Sequence, residues 1–279
     1  MTEKDSISSW YSQLSRTYTT EQRQNWYSGS AVAYDRVRPR YPQTIIDRAL
    51  EAAQLPTDAH ILELGCGPGI ATVELAKRGF SLVCLEPSPA ACELALANCS
   101  SYPHVEIIQT TFENWELQPQ QFDAVIATTS FHWMSPDIRC LKASLALKQN
   151  GSLILLWNTP PQPSDEIHQK LIDVYQIYAP DLAEYQSHDF YRHNLQQFGK
   201  EIIDSGLFQG LVNHSCICDV TYTVDEYIAL LSTLSPYIKL EPQQRQTLFI
   251  ALKDRFKQLS KQQLSLSYLS AFHQAYKVT

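Results

Sequence analysis

Basic clusters, long apolar runs and paired cysteines are what this 279-residue chain lacks. No block of Lys and Arg stands out, and 29 acidic against 22 basic residues leave a net charge of −7. A track along nucleic-acid phosphates is therefore not expected. Apolar runs are short: a stretch such as Leu153 to Trp157 is far below the ~20 residues that cross a bilayer. Met1 to Thr20 is polar and has no apolar signal core, so a soluble, cytoplasmic protein without membrane insertion is expected. The seven cysteines are odd in number and include no C-x-x-C pair. Cys216 and Cys218 share one face of a strand-like segment with His214 as the local partner, and buried reduced thiols rather than a metal site are expected. Glycine is scarce, nine in all, yet three of the nine fall at positions 65, 67 and 69.

That concentration sits in Ile61-Leu62-Glu63-Leu64-Gly65-Cys66-Gly67-Pro68-Gly69. It reads as a buried strand, a tight turn and then a helix-like run from Ile70 to Arg78. Glycines in the turn take φ > 0 and leave bare backbone for a ligand, and the helix N-terminus adds unpaired N–H groups. The pattern is G-x-G-x-G, with Ala71 one place late for the dinucleotide pattern G-x-G-x-x-G/A. Glu63 just upstream suits a cationic ligand better than a pyrophosphate. A second short strand, Ser81 to Leu85, ends at Glu86, about 20 residues beyond the turn, where such folds bond ribose hydroxyls. Pro87-Ser88-Pro89 then opens another helix, with Ser88 as N-cap and Pro89 at the first helical position.

Apolar strands near 60–64, 82–86, 105–109, 122–128 and 151–157 alternate with helices near 44–54, 70–78, 89–99 and 137–148. This alternation predicts an α/β fold whose parallel sheet is covered on both faces. Pro160, Pro161 and Pro163 read as a linker. Asp165 to Gly206 reads as a Tyr-rich helical insert broken near Gly199 and Gly206, and Gly210 to Thr221 as a strand. Helices follow over Val224 to Leu234 and Pro242 to Leu259, then a last strand over Leu266 to Val278. The two late strands are expected to form an antiparallel edge. The expected divisions are a helical lid segment at 1–43, a cofactor-binding core at 44–160, a substrate cap at 161–206 and the remainder of the core at 207–279.

On Glu63-Leu64-Gly65-Cys66-Gly67-Pro68-Gly69, Glu86 and Phe122-Asp123-Ala124-Val125-Ile126, the chain resembles the class I S-adenosylmethionine-dependent methyltransferases. Arg38-Pro39-Arg40-Tyr41-Pro42 and Ser130-Phe131-His132-Trp133 resemble the small-molecule branch that includes trans-aconitate methyltransferases. The resemblance implies a doubly wound, mostly parallel seven-stranded sheet with an antiparallel last strand and a helical cap. It implies S-adenosylmethionine as cofactor, a small-molecule acceptor and no metal. It places Glu63, Gly65 and Gly67 at the amino-acid part of the cofactor, Glu86 and Pro87 at the ribose, and Thr128 under the methionine moiety. Thr111 and Phe112 fall where the family has an acidic and a small residue at the adenine. Arg38 resembles a residue that pairs with the cofactor carboxylate; its other reading is a surface arginine.

A carboxylate acceptor needs no base, whereas a phenol or alcohol acceptor makes His132 the base candidate. His132 and Trp133 are thus read either as catalytic residues or as pocket wall. One of Arg36, Arg38 and Arg40 is expected to pair with an anionic acceptor. Tyr175, Tyr178, Tyr185 and Tyr191, with Trp26, Tyr27 and Tyr34, are read as a lid. Asn158-Thr159-Pro160-Pro161 departs from the N-P-P-aromatic motif of amino-methylating nucleic-acid enzymes and is read as linker. A nicotinamide-dependent oxidoreductase is the competing enzyme reading, disfavoured by the glycine spacing. A non-catalytic S-adenosylmethionine-binding protein is the third, because fold does not fix function. Oligomeric state is not readable from the sequence.

Overall fold

The structure, a computed structural model, describes residues 20–278, with side chains from residue 28 onward. The expected lid residues Trp26 and Tyr27 therefore have side chains outside the described set, and residues 1–19 of the segment 1–43 precede the described residues. Two helices, α1 (Thr20–Val37) and α2 (Gln43–Ala53), lead into β1 (His60–Leu64), α3 (Ile70–Ala76), β2 (Ser81–Leu85), α4 (Pro89–Asn98) and β3 (Val105–Ile108). Then come β4 (Phe122–Thr128), α5 (Pro136–Ala146) and β5 (Leu147–Asn158). The later part holds α6 (Asp165–Gln169), α7 (Ile172–Tyr178), α8 (His188–Asp204), β6 (Phe208–Thr223), α9 (Val224–Ser232), α10 (Ser235–Ile238), α11 (Pro242–Gln258) and β7 (Gln263–Lys277).

The strands form one seven-stranded sheet in the order β3-β2-β1-β4-β5-β7-β6. The first five run parallel, and β7 pairs antiparallel with both β5 and β6. The strand period of two assigns each face. Leu62, Leu64, Val125, Leu153 and Leu155 pack on one side with Leu195 and Phe198 of α8. Ile61, Cys84, Ile126, Ile154 and Leu156 pack on the other with Ile45 and Ile46 of α2 and Leu75 of α3. Both faces are covered, which explains the near-continuous apolar reading of β1, β4 and β5. No described helix is long and apolar enough to cross a membrane.

Packing cuts across the expected boundary at 206. Residues of α7, α9 and α11, among them Tyr175, Tyr227, Leu231, Leu252 and Phe256, share a separate hydrophobic cluster with Leu171 and form the cap. Helix α8, expected in that cap, lies on the sheet instead. Gly199 is not a break but the middle of this helix. A Cβ there would lie 2.7 Å from Cδ2 of His273, so the glycine lets the helix approach β7. The His273 ring cannot easily yield, because its Nδ1 accepts the indole N–H of Trp157 at 3.0 Å. The Pro160–Pro163 stretch is also no free linker: Gln162 exchanges backbone hydrogen bonds with Ser267, and Pro161 and Pro163 are buried.

The Gly199 contact yields a prediction. Gly199→Val overpacks the α8–β7 contact and should lower the unfolding free energy by about 2–3 kcal/mol in chemical denaturation. Unchanged stability would show that the helix has room to shift.

Candidate active site

The site lies at the carboxyl ends of β1, β2 and β4, where a doubly wound sheet binds ligands. Gly65, Gly67 and Gly69 have φ of 68°, 56° and 85°, so the turn needs residues that accept the left-handed region. The turn is tied to β2 through Gly65 N–H and Cys66 N–H, which both donate to the Leu85 carbonyl at 2.8 and 3.1 Å. At Gly65 a Cβ would meet Ser130 Cβ at 2.8 Å, which fixes how closely the loop after β4 approaches. At Gly67 nothing lies within 4 Å of the position a Cβ would take, so the bare backbone faces open space.

Glu86 is the centre of this arrangement. Its Oε2 accepts the Gly67 N–H at 2.9 Å and its Oε1 accepts the Ser88 N–H at 2.8 Å. Burial raises its pKa, and those two N–H groups oppose the rise. Each oxygen keeps a further lone pair for a ligand hydroxyl. Ser88 caps α4 by accepting from Ala91 N–H, with Pro89 at the first helical position.

Cavities meet here. One of about 130 Å³ is lined by Gly65, Gly67, Glu86, Pro87, Thr111, Phe112 and Trp133. A smaller one of about 40 Å³ lies over the turn, with Arg38, Tyr41, Gly67, Thr128 and Asn158 in its wall. A chamber of about 410 Å³ opens beneath the cap. Tyr34 and Thr129 line all three. Thr129 is held at φ 54°, an uncommon conformation for a β-branched residue, and its Oγ1 bonds Tyr41 Oη at 2.7 Å and accepts Asn158 N–H at 3.1 Å.

The sequence-derived residues fall as follows. Glu63 does not reach the cavities. It is fully buried behind the turn, where Thr72 Oγ1 donates to it at 2.6 Å and Thr128 Oγ1 at 3.4 Å. Arg38 is no surface arginine: it lines the small cavity and the chamber, and donates to Thr233 Oγ1 and the Thr233 carbonyl, each at 2.9 Å. Arg40 is exposed, pairs with Asp35 at 3.1 Å and lies outside the cavity walls, and Arg36 is likewise exposed. Thr111 spends its Oγ1 on the Asn114 N–H at 3.1 Å, so its hydroxyl oxygen serves the local turn. His132 is buried in the chamber wall, its ring 4.9 Å from that of Trp133 and 5.6 Å from that of Trp157. Trp133 borders both the larger cofactor-side cavity and the chamber. Of the expected lid tyrosines, Tyr34, Tyr175, Tyr185 and Tyr191 line the chamber, and Tyr178 does not.

Some site residues escaped the sequence reading. Glu113 lines the larger cofactor-side cavity, with Oε1 accepting the Ser135 N–H at 3.0 Å. A carboxylate thus stands in that wall one residue beyond Phe112, in the string Thr111-Phe112-Glu113. Asn158 is not linker: its Nδ2 donates to the Pro39 carbonyl at 3.1 Å and clamps the Arg38–Arg40 loop over the cavities. Tyr227 and Tyr237 join the chamber from α9 and α10, helices that carry no motif.

With the geometry described, similarity can be weighed. The sheet order and the glycine turn at the carboxyl ends of the parallel strands define a Rossmann-like fold. Residues 61–151, the span from β1 into β5, match the family model described as a methyltransferase domain. An uncharacterized methyltransferase of Mycobacterium bovis is 35% identical over 132 residues, 47% of this chain and 51% of that protein. The magnesium-protoporphyrin O-methyltransferase of Rhodobacter capsulatus is 27% identical over 111 residues, 38% of this chain and 50% of that protein. The chain thus spans about half the length of these relatives. A Haemonchus contortus phosphoethanolamine N-methyltransferase 2, solved with phosphomonomethylethanolamine and S-adenosylhomocysteine, aligns with TM-score 0.52 and 14% identity over 90% of this chain and 58% of that one. The YcgJ protein of Bacillus subtilis aligns with TM-score 0.50 and 12% identity over 85% of this chain and 100% of that one. At these identities the structures show the fold alone. The match over residues 61–151 is to a methyltransferase domain, the structures add the fold, and the trans-aconitate branch gains no support.

Glu63 makes the site pH-sensitive. Burial pushes its pKa up to about 7 from 4.5, against opposing hydrogen bonds from Thr72, Cys84 and Thr128. Its folded value lies above its unfolded value, so its contribution to stability is full below about pH 4.5 and is lost as pH rises toward 7. The loss is about 3 kcal/mol at most. Glu63→Gln should flatten the decline in apo stability over that window, leaving the share due to Glu86. Denaturation measured across the window checks this, and an unchanged slope would show that Glu63 is not the titrating group.

Proposed function

We propose that this protein binds S-adenosylmethionine and methylates a small molecule, with a carboxylate oxygen as the acceptor. The observation that carries the cofactor reading is Glu86, whose oxygens are fixed by backbone N–H groups while the carboxylate lines the cavity beside the open Gly67 backbone. In this reading Glu86 accepts the ribose hydroxyls and Glu113 faces the adenine amino group. Arg38 borders the amino-acid end of the cofactor and the acceptor chamber. The carboxylates Glu63, Glu86 and Glu113 favour a ligand with net positive charge and oppose a pyrophosphate, which argues against a nicotinamide cofactor.

When bound, S-adenosylmethionine supplies a methyl group on a positively charged sulfur, already activated for attack by a nucleophile. What the protein contributes is placement and exclusion of water, a contribution on the order of 7–11 kcal/mol where alignment is good. Tyr34 and Thr129 line the point where all the cavities meet, and this is where acceptor and methyl group would face each other. Trp133 and the tilted ring of His132 close the wall there. A carboxylate is ionised at neutral pH, so His132 packs the wall and moves no proton. A fully buried Tyr41, pushed well above the usual phenol value by burial, serves as a neutral bonding partner of Thr129 and not as a base.

Two measurements bear on this. Glu86→Ala removes charge-assisted hydrogen bonds of roughly 1.5–3 kcal/mol and should weaken calorimetric S-adenosylmethionine binding by at least about tenfold. It also strips a partner from the Gly67 and Ser88 N–H groups, so the apo protein should melt at lower temperature. Unaltered cofactor affinity would sink the ribose assignment. His132→Ala should keep most of the turnover on carboxylate acceptors. A large fall in kcat, with a titration near the ordinary histidine pKa of about 6.5 in the parent, would point instead to a hydroxyl acceptor deprotonated by His132.

A further inference from the structure

The chamber beneath the cap carries polar groups that methyl transfer itself does not use. Arg38 stands where it meets the small cavity, and among the described residues it is the Lys or Arg side chain in the chamber wall. Its Nε and Nη2 are committed to Thr233 and its guanidinium lies 4.7 Å over the Tyr34 ring, which fixes the direction of the remaining N–H donors. Tyr175, Tyr227 and Tyr237 line the chamber and neither of the other cavities. They come from α7, α9 and α10, yet their hydroxyls converge: Tyr175 Oη lies 2.9 Å from Tyr237 Oη, and Tyr175 also bonds Tyr227. Burial pushes all three phenols well above their usual value, so they are neutral hydroxyls at any physiological pH. Trp133, Tyr185 and Tyr191 also line the chamber, and Asp181 and Glu184 stand at exposed positions on its wall.

We propose that the acceptor is a monocarboxylic acid with an aromatic body and a neutral hydroxyl, and that the Tyr175–Tyr227–Tyr237 hydroxyls are the specificity-determining group that reads that hydroxyl. This rests on the methyltransferase reading with a carboxylate acceptor. A single guanidinium matches a single carboxylate, and planar rings stack on the aromatic wall. Further carboxylates on the acceptor would meet neutral phenols and the negative Asp181 and Glu184 and find no further cationic Lys or Arg partner in the wall among the described residues. A tricarboxylate is therefore disfavoured. A wall of hydroxyls aimed at a substrate hydroxyl discriminates strongly against the analogue that lacks it, because the wall groups then lose their partner.

The test titrates para-hydroxyphenylacetate, phenylacetate and a propane tricarboxylate into the protein by calorimetry, with and without S-adenosylhomocysteine. The hydroxylated acid should bind about tenfold or more tighter than phenylacetate, and the tricarboxylate should not bind. Tyr237→Phe and Tyr227→Phe each remove one hydroxyl and no ring, and each should erase the preference while leaving phenylacetate affinity unchanged. Thermal melts of both variants confirm that they are folded. Equal affinities of the two acids in the parent, a preference that survives both substitutions, tighter binding of the tricarboxylate, or no binding of any acid would overturn the proposal. Failure of S-adenosylhomocysteine to bind would sink the cofactor reading alone, since the acids report on the chamber directly.

Discussion

One carboxylate joins the two turns on which the site depends. Glu86 leaves the tip of β2, takes a hydrogen bond from the turn after β1 and another from the start of α4. The two βα units are thereby locked at the edge where they face a ligand. The same atoms that set the backbone also present charge to the cavity, so geometry and recognition cannot be separated at this residue. Burial of that charge is tolerable because the oxygens are already hydrogen-bonded; an unpartnered carboxylate in the same place would protonate.

Around this lock the charge is layered. Glu63 lies buried behind the turn, and Glu113 lines the same cavity as Glu86. A positively charged ligand in the neighbouring cavity lowers the penalty of keeping several carboxylates ionised, so ligand binding and the ionisation of Glu63 favour each other reciprocally. The aromatic rings of Tyr34 and Trp133 complete the enclosure without adding charge.

The sheet and the glycine turn were legible because they obey short-range rules. A strand period of two, glycines at positive φ and a Ser-Pro helix start each leave a local mark. Glu86 was legible for the same reason, as a carboxylate at a strand tip at a set distance from the turn. The chamber was not legible. Tyr227 and Tyr237 reach it only because α9 and α10 fold back over the sheet, a placement decided by the apolar cluster around Leu231, Leu252 and Phe256. Asn158 read as linker because its role, clamping Pro39, spans 119 positions in sequence. Gly199 read as a break, since an isolated glycine in a helix looks the same whether it ends the helix or admits a neighbouring ring. Glu113 was not singled out, because the resemblance pointed to Thr111 and Phe112, its immediate neighbours in the same cavity wall.

The position of β7 has a consequence for how the chain assembles. Strand β6 has no neighbour in the sheet except β7, and β7 in turn sits between β6 and β5. During synthesis, β1 to β5 and their helices can close into a parallel sheet as they emerge. Strand β6 cannot join them until residues 263–277 have been made. Through that interval the cap helices between β6 and β7 have no anchored base, and the edge of β5 stays open to other strands. The chamber beneath the cap, which needs those helices, is accordingly the last part of the molecule to take shape, well after the glycine turn that the opening strands already define.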